Sequence, residues 1–161
     1  MKRWALYLAI CVVAGVSGLT YGAGGDGGGG GGGGGSGDGV KHDASYDAGV
    51  AAVEKQDWKR AIALFQNSLR WDRFNADAHN WLGFSYRNAG DMKRAFEEYE
   101  EALRLDPQHK GAHEYVGEAY VIANNIPKAE EHLAALEKLC GRSCPEYHEL
   151  EETIEKAKKR G

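Results

Sequence analysis

The side chains best suited to chemistry lie near the C-terminus of this 161-residue chain, in the stretch Cys140-Gly141-Arg142-Ser143-Cys144-Pro145. A glycine free to take a left-handed turn sits between the thiols, and a proline suited to open a helix follows the second, so the two side chains can meet across an inter-helix turn. Three chemistries are open to such a pair: a structural disulfide, a redox-active dithiol, or two ligands of a soft metal ion. The redox reading is the weaker, because the thiols are separated by three residues where two are usual and no βαβ pattern surrounds them. A disulfide closing so short a loop contributes about 2 kcal/mol by the chain-entropy model and fixes the angle of whatever helix follows. Histidines add two further spacings of four, His109 with His113 and Cys144 with His148, a separation that places ligands on one helical face. Pro107 and Gly111 mark a turn near the first pair, and a bonded Cys144 cannot ligate, so no metal site and no cofactor are expected. Nor does the chain hold a serine in a nucleophile turn, an HExxH helix, a CxxCH haem motif, or a glycine loop ending in Gly-Lys-Ser or Gly-Lys-Thr. The expectation is a protein that is not an enzyme.

What must position these residues is a repeat. Residues 42–75, 76–109 and 110–143 align at an offset of 34 without insertion. Gly49, Gly83 and Gly117 fall in register, as do Ala61, Ala95 and Ala129, and the large residues Phe65, Tyr99 and Leu133. Asp57, Asp91 and Asn125 share one position and can each accept from the free N–H groups of a starting helix. A period of this length holds two antiparallel helices and a turn, stacked into a solenoid. The small residues mark where the two helices of a repeat approach closely, with Tyr86 and Tyr120 expected to fill the gap beside them. In the second repeat Ala78, Leu82, Phe84 and Tyr86 line one helix, and Ala95, Tyr99, Ala102 and Leu103 the other. Asp106-Pro107 ends it, since the residue before proline is pushed out of helical geometry. Residues 144–161 read as a capping helix: Tyr147, Leu150, Ile154 and Ala157 recur at helical spacing, glutamates crowd the start and lysines the end, matching the helix dipole. The fold class expected is all-α, an α-solenoid of three helix-turn-helix repeats with a C-terminal cap.

The run Ala76-Asp77-Ala78-His79-Asn80-Trp81-Leu82-Gly83-Phe84-Ser85-Tyr86, followed by Gly90, Ala95, Tyr99, Ala102-Leu103 and Pro107, resembles a tetratricopeptide repeat. Departures are visible: Ser45, His79 and His113 stand where the pattern has tryptophan, the closing proline survives only in the second copy, and Ala52 stands where Tyr86 and Tyr120 sit. With its cysteine pair, the chain is similar to small exported bacterial repeat proteins of this family. The resemblance implies a concave groove lined by the first helix of each repeat, through Asp43, Tyr46, Val50, Val53 and Glu54, then Asp77, Asn80, Phe84, Arg87 and Asn88. From the third copy it adds Gly111, Glu114, Glu118, Val121 and Ile122. In such a groove Tyr46 and Phe84 are aromatic anchors, Asn80 and Asn88 bond a peptide backbone, and Arg87 offers a fork to a carboxylate. The implied partner is a segment of another protein, with self-association as the alternative. A carboxylate clamp of the kind known in the family is not expected, because its positions hold Tyr46, Val50, Trp81, Gly111 and Tyr115.

Two zones precede the repeats. Met1-Lys2-Arg3 and the apolar run from Trp4 to Val16 have the order of a secretory signal peptide, assigned to residues 1–23, with an uncleaved N-terminal anchor as the rival. Thirteen apolar residues fall short of the about 20 that span a bilayer. Residues 24–41 are glycine-rich: 13 of the chain's 23 glycines lie between Gly24 and Gly39, which predicts a disordered tether. Net charge is −4, and losing Lys2 and Arg3 with the export segment makes it −4 − 2 = −6. An acidic protein without a basic stripe is a poor binder of nucleic acid. Export to the periplasm is the expectation, or membrane attachment facing it if the first segment is retained.

Overall fold

The structure, a computed structural model, describes residues 44–160; the export segment, the glycine-rich tether and the groove position Asp43 lie outside the described residues. These form seven helices and no strand: α1 (Ala44–Glu54), α2 (Trp58–Trp71), α3 (Ala76–Asn88), α4 (Met92–Leu105), α5 (Lys110–Ile122), α6 (Ile126–Cys140) and α7 (Pro145–Lys158). Three helical hairpins and a single last helix give the all-α solenoid with its cap.

Each hairpin is punctuated by the same device at the same offset. The side chains of Asp57, Asp91 and Asn125 accept from the backbone N–H of Arg60, Arg94 and Lys128, at 3.2, 3.0 and 3.3 Å, and so start α2, α4 and α6. Just before each cap the chain turns through a left-handed residue, Gln56 (φ 57°), Gly90 (φ 88°) and Asn124 (φ 58°). Asn75 and His109 cap α3 and α5 in the same way, accepting from Ala78 and Ala112 at 2.9 and 3.1 Å.

The glycine in each first helix is where the packing closes. A Cβ on Gly49 would lie 2.7 Å from Phe65, and one on Gly83 would lie 2.8 Å from Tyr99 and 3.1 Å from the Ala95 carbonyl. The expectation that Tyr86 fills this gap is therefore corrected: Tyr99 fills it, and Tyr86 turns to the preceding hairpin, where its hydroxyl accepts from Gln66 Nε2 at 2.8 Å. In the third hairpin the filler is different again. A Cβ on Gly117 would meet Leu150 of α7 at 2.5 Å, not Leu133 of its own hairpin. Leucine is shorter than the phenylalanine or tyrosine at the equivalent position, and the cap supplies the missing side chain. Tyr147, Leu150 and Ile154 are accordingly buried, in one cluster with Ala129 and Leu136.

The first helices of successive hairpins touch, α1 with α3, α3 with α5 and α5 with α7, whereas α2, α4 and α6 do not touch one another. A stack whose members meet on one side and splay on the other is curved, so the odd-numbered helices line the inner face.

Candidate functional site on the inner face

The centre of the inner face is built from α3 and α5. Their sixth and ninth repeat positions put Trp81, Phe84 and Tyr115 together, with Phe84 and Tyr115 centroids 4.9 Å apart and Trp81 5.6 Å from Phe84. Arg87, one turn beyond Phe84, lies over that aromatic pair, 5.1 and 5.5 Å from the two ring centres. Its Nη1 donates to Glu118 Oε2 at 2.7 Å and to the Tyr115 carbonyl at 3.1 Å. The carboxylate for Arg87 is thus supplied from within the chain by the next hairpin, and the pair ties α3 to α5.

Asn80 sits one turn before Phe84, only 4% exposed, and its Oδ1 has no hydrogen-bond partner. A buried amide oxygen left unpaired costs roughly 1–3 kcal/mol, which marks this atom as an acceptor without a donor. Gly111 of α5 faces it: a Cβ there would stand 3.4 Å from Asn80 Nδ2. Glu114, one turn further along α5, is also buried.

The remaining residues proposed for the groove divide. Tyr46 is buried edge-on to Phe65, with centroids 5.7 Å apart, and burial followed by the nearby charge of Asp77 pushes its hydroxyl up to about 12. Val50 is half-buried against the same core, and Val53 lies wholly inside it. Asn88 is exposed at the end of α3, and its Nδ2 donates to the Phe84 carbonyl of its own helix at 2.8 Å. Ile122, at the end of α5, is 63% exposed. Trp81 and Tyr115 are absent from the groove positions that the resemblance implies. The signal that reveals them is an aromatic at the sixth position of two consecutive repeats.

The structure brings the two cysteines together at the turn between α6 and α7. Cα atoms of Cys140 and Cys144 are 5.8 Å apart with the sulfurs at bonding distance, and Gly141 between them has φ 73°. Glu146 brings a carboxylate oxygen within 4.8 Å of both sulfurs. The histidines spaced by four do not cooperate. His109 caps α5 and reaches Asp77 through Nε2 at 3.1 Å, His113 faces α6, and His148 points to solvent beside Glu151. Among the described residues no helix is long and apolar enough to cross a membrane.

Stacked helical hairpins with an inner face lined by their first helices define a helical-repeat scaffold, a class that generally mediates protein interactions without catalysis. Two family models, both described as tetratricopeptide repeat, match residues 46–110 and 86–154, and the chain belongs to that family. A search of curated proteins returned no match. Among solved structures, the chain is similar to the Sgt2 TPR domain from Aspergillus fumigatus at 24% identity, covering 76% of this chain and 83% of that one with a TM-score of 0.65. It is similar to the TPR2B domain of yeast Sti1 in a complex with pHsp70, at 16% identity over 73% and 95% of the two chains, TM-score 0.65. The Yersinia enterocolitica type III secretion translocator chaperone SycD, in complex with a peptide of the translocator YopD, matches at 18% identity over 72% and 91%, TM-score 0.62. At these identities the likeness is one of fold.

Proposed function

We propose that the chain is an exported, non-enzymatic scaffold that holds an extended or helical segment of a partner protein on its inner face. The observation that carries this reading is the cluster of Trp81, Phe84 and Tyr115 at the centre of the inner face, with Arg87 over two of its rings. Such rings offer the apolar contact that anchors a bound side chain. Peptide complexes of the similar Sti1 domain and SycD support the assignment by analogy of fold. Recognition by a carboxylate clamp is not part of it, because Trp81, Gly111 and Tyr115 stand at clamp positions and Arg87 is held by Glu118. Export is supported by the basic start and apolar run of the first residues, and an oxidising compartment suits a Cys140–Cys144 disulfide.

A displayed peptide library selected on the full chain tests this. Enriched peptides should bind Trp81→Ala and Tyr115→Ala about tenfold more weakly, with no change when the peptide C-terminus is amidated. No enrichment, or equal affinity for the variants, overturns the proposal. Self-assembly is the second reading, favoured by Trp71 and Phe74, which are 81% and 60% exposed at the turn between the first two hairpins. Sedimentation velocity that stays monomeric across concentration removes it.

A further inference from the structure

The charges of this chain sort by helix. The first helices α1, α3 and α5 and the cap α7 carry −2, 0, −1 and −3, together −6, whereas α2, α4 and α6 carry +3, −1 and −1, together +1. The acidic excess therefore sits on the helices that line the inner face. It also has an order. Asp47, Trp81, Tyr115 and Glu149 follow one another at intervals of 34 residues, one each on α1, α3, α5 and α7. Because those helices touch in succession, the four form one row across the face: acid, aromatic, aromatic, acid. Asp47 is exposed, and Asp77 of α3 adds a second negative charge near Tyr46 at that end. The cations of α1, α3 and α5 are Arg87, already held by Glu118 at 2.7 Å, and Lys110, at the start of α5.

On the footing that the inner face holds a partner segment, we propose that this segment is cationic. It is an extended stretch of about ten residues, with two apolar side chains seated against Trp81 and Tyr115 and a lysine or arginine at each end facing Asp47 and Glu149. The length follows from the row. Packed helices stand about 8–10 Å apart and an extended chain advances about 3.3 Å per residue, so each step of the row is about three residues. Trp81 and Tyr115 are half-buried, and the open part of each ring is what an apolar side chain covers. The carboxylates at the two ends select by sign. An acidic segment sets like charges together at both ends, whereas a cationic one gains at both, and the rings between them fix its register. An acidic face also repels nucleic acid and anionic lipid, and a bare polyamine brings no apolar group for the rings.

The test is the sequence of the peptides that a displayed library of ten random residues enriches on the full chain. Lysine and arginine should be enriched about three positions outside a pair of apolar residues, and aspartate and glutamate depleted. A charge swap then locates the contact. Asp47→Lys should weaken such a peptide about tenfold, and replacing one of the two flanking cations of the peptide by glutamate should restore most of the loss, a rescue that damage to the fold does not give. Glu100→Lys, exposed on α4, should change nothing. Enrichment without a preference for cations, enrichment of acidic peptides, or a loss in Asp47→Lys that neither glutamate peptide rescues overturns this proposal and leaves the binding face standing. No enrichment at all overturns both.

Discussion

Replacing Gly83 by alanine puts the packing argument to a quantitative test. The new methyl would stand 2.8 Å from two ring carbons of Tyr99 and 3.1 Å from the Ala95 carbonyl. Tyr99 is fully buried and has no room to swing, and the carbonyl moves only if α4 moves. Overpacking of this kind costs about 1–3 kcal/mol, while alanine in a helix interior gains about 0.5–1 kcal/mol over glycine. The net expectation is a loss of about 1–2 kcal/mol. Gly117→Ala is the companion test, because there the methyl meets Leu150 Cδ2, Cδ1 and Cγ at 2.5, 2.8 and 3.2 Å, a side chain as fully buried as Tyr99. It should lose a similar amount, about 1–2 kcal/mol. Adding Tyr99→Leu, the residue type found at the same offset in the third hairpin, should relieve part of the Gly83→Ala loss. Because the two sites touch, a double-mutant cycle should show coupling of at least about 0.5 kcal/mol. Urea unfolding followed by far-UV circular dichroism gives the three differences from shifts in midpoint at constant slope. A neutral or stabilising Gly83→Ala, or strict additivity with Tyr99→Leu, refutes the reasoning.

Burial disfavours charge on His79, but the hydrogen bonds to Glu98 and to the Arg73 carbonyl, with the charge of Glu98, outweigh it and raise its pKa. Its stabilising contribution is complete below about 6.5 and is lost as pH rises through the folded value. His132 is shifted the other way, so stability is lost as pH falls from about 6.5 toward 4. Thermal melts across pH should therefore show a histidine-dependent optimum near 6.5, its acid side flattened in His132→Gln and its alkaline side in Glu98→Gln. Gln56 holds the left-handed conformation that Gly90 holds in the next hairpin, so Gln56→Gly should raise stability by about 0.5–1 kcal/mol in the same melts. Arg87→Met leaves Glu118 facing α3 without its cation and should cost about 2–3 kcal/mol, most of it recovered by Arg87→Met/Glu118→Leu in urea unfolding. Reduction of the Cys140–Cys144 bond should lower stability by about 2 kcal/mol, and mass spectrometry of unreduced protein should find two hydrogens fewer than the free dithiol.

The period carried most of the architecture. An offset that returns a glycine, an alanine and a capping acid in phase fixes where each helix starts, where it turns and which of its faces is close-packed, and Asp57, Asp91 and Asn125 behave as that logic requires. It does not say which side chain fills the space that the glycine leaves. Tyr99 and Phe65 do so from within the hairpin, but over Gly117 the filler is Leu150, because a leucine at the Leu133 position is too short and a neighbouring helix is available. The inner face was legible as a set of positions and not as a network. Arg87 and Glu118 are 31 residues apart and come together because consecutive first helices touch, a contact that no single repeat contains. Val53 shows the converse, a residue on the right helix that the tight entry of the stack has drawn into the core.

The offset shared by Ser45, His79 and His113 separates what the fold demands from what the chain has added. A bridge from the first helix of a hairpin to its second is present each time. Ser45 Oγ accepts from Asn67 Nδ2 at 2.7 Å, His79 bonds Glu98, and His113 faces His132. A hydroxyl accepting from an amide and an imidazole bonded to a carboxylate both serve as helix ties, so packing alone does not require a second imidazole. Two imidazoles facing each other are also the least favourable of the three on acidification, since charging both rings sets like charges side by side in a half-buried site. Glutamate at position 132 would have reproduced the bond of the second hairpin and removed that weakness. What stands in its place is an imidazole–imidazole hydrogen bond, 2.9 Å between the Nδ1 atoms of residues 19 apart along the chain and on different helices.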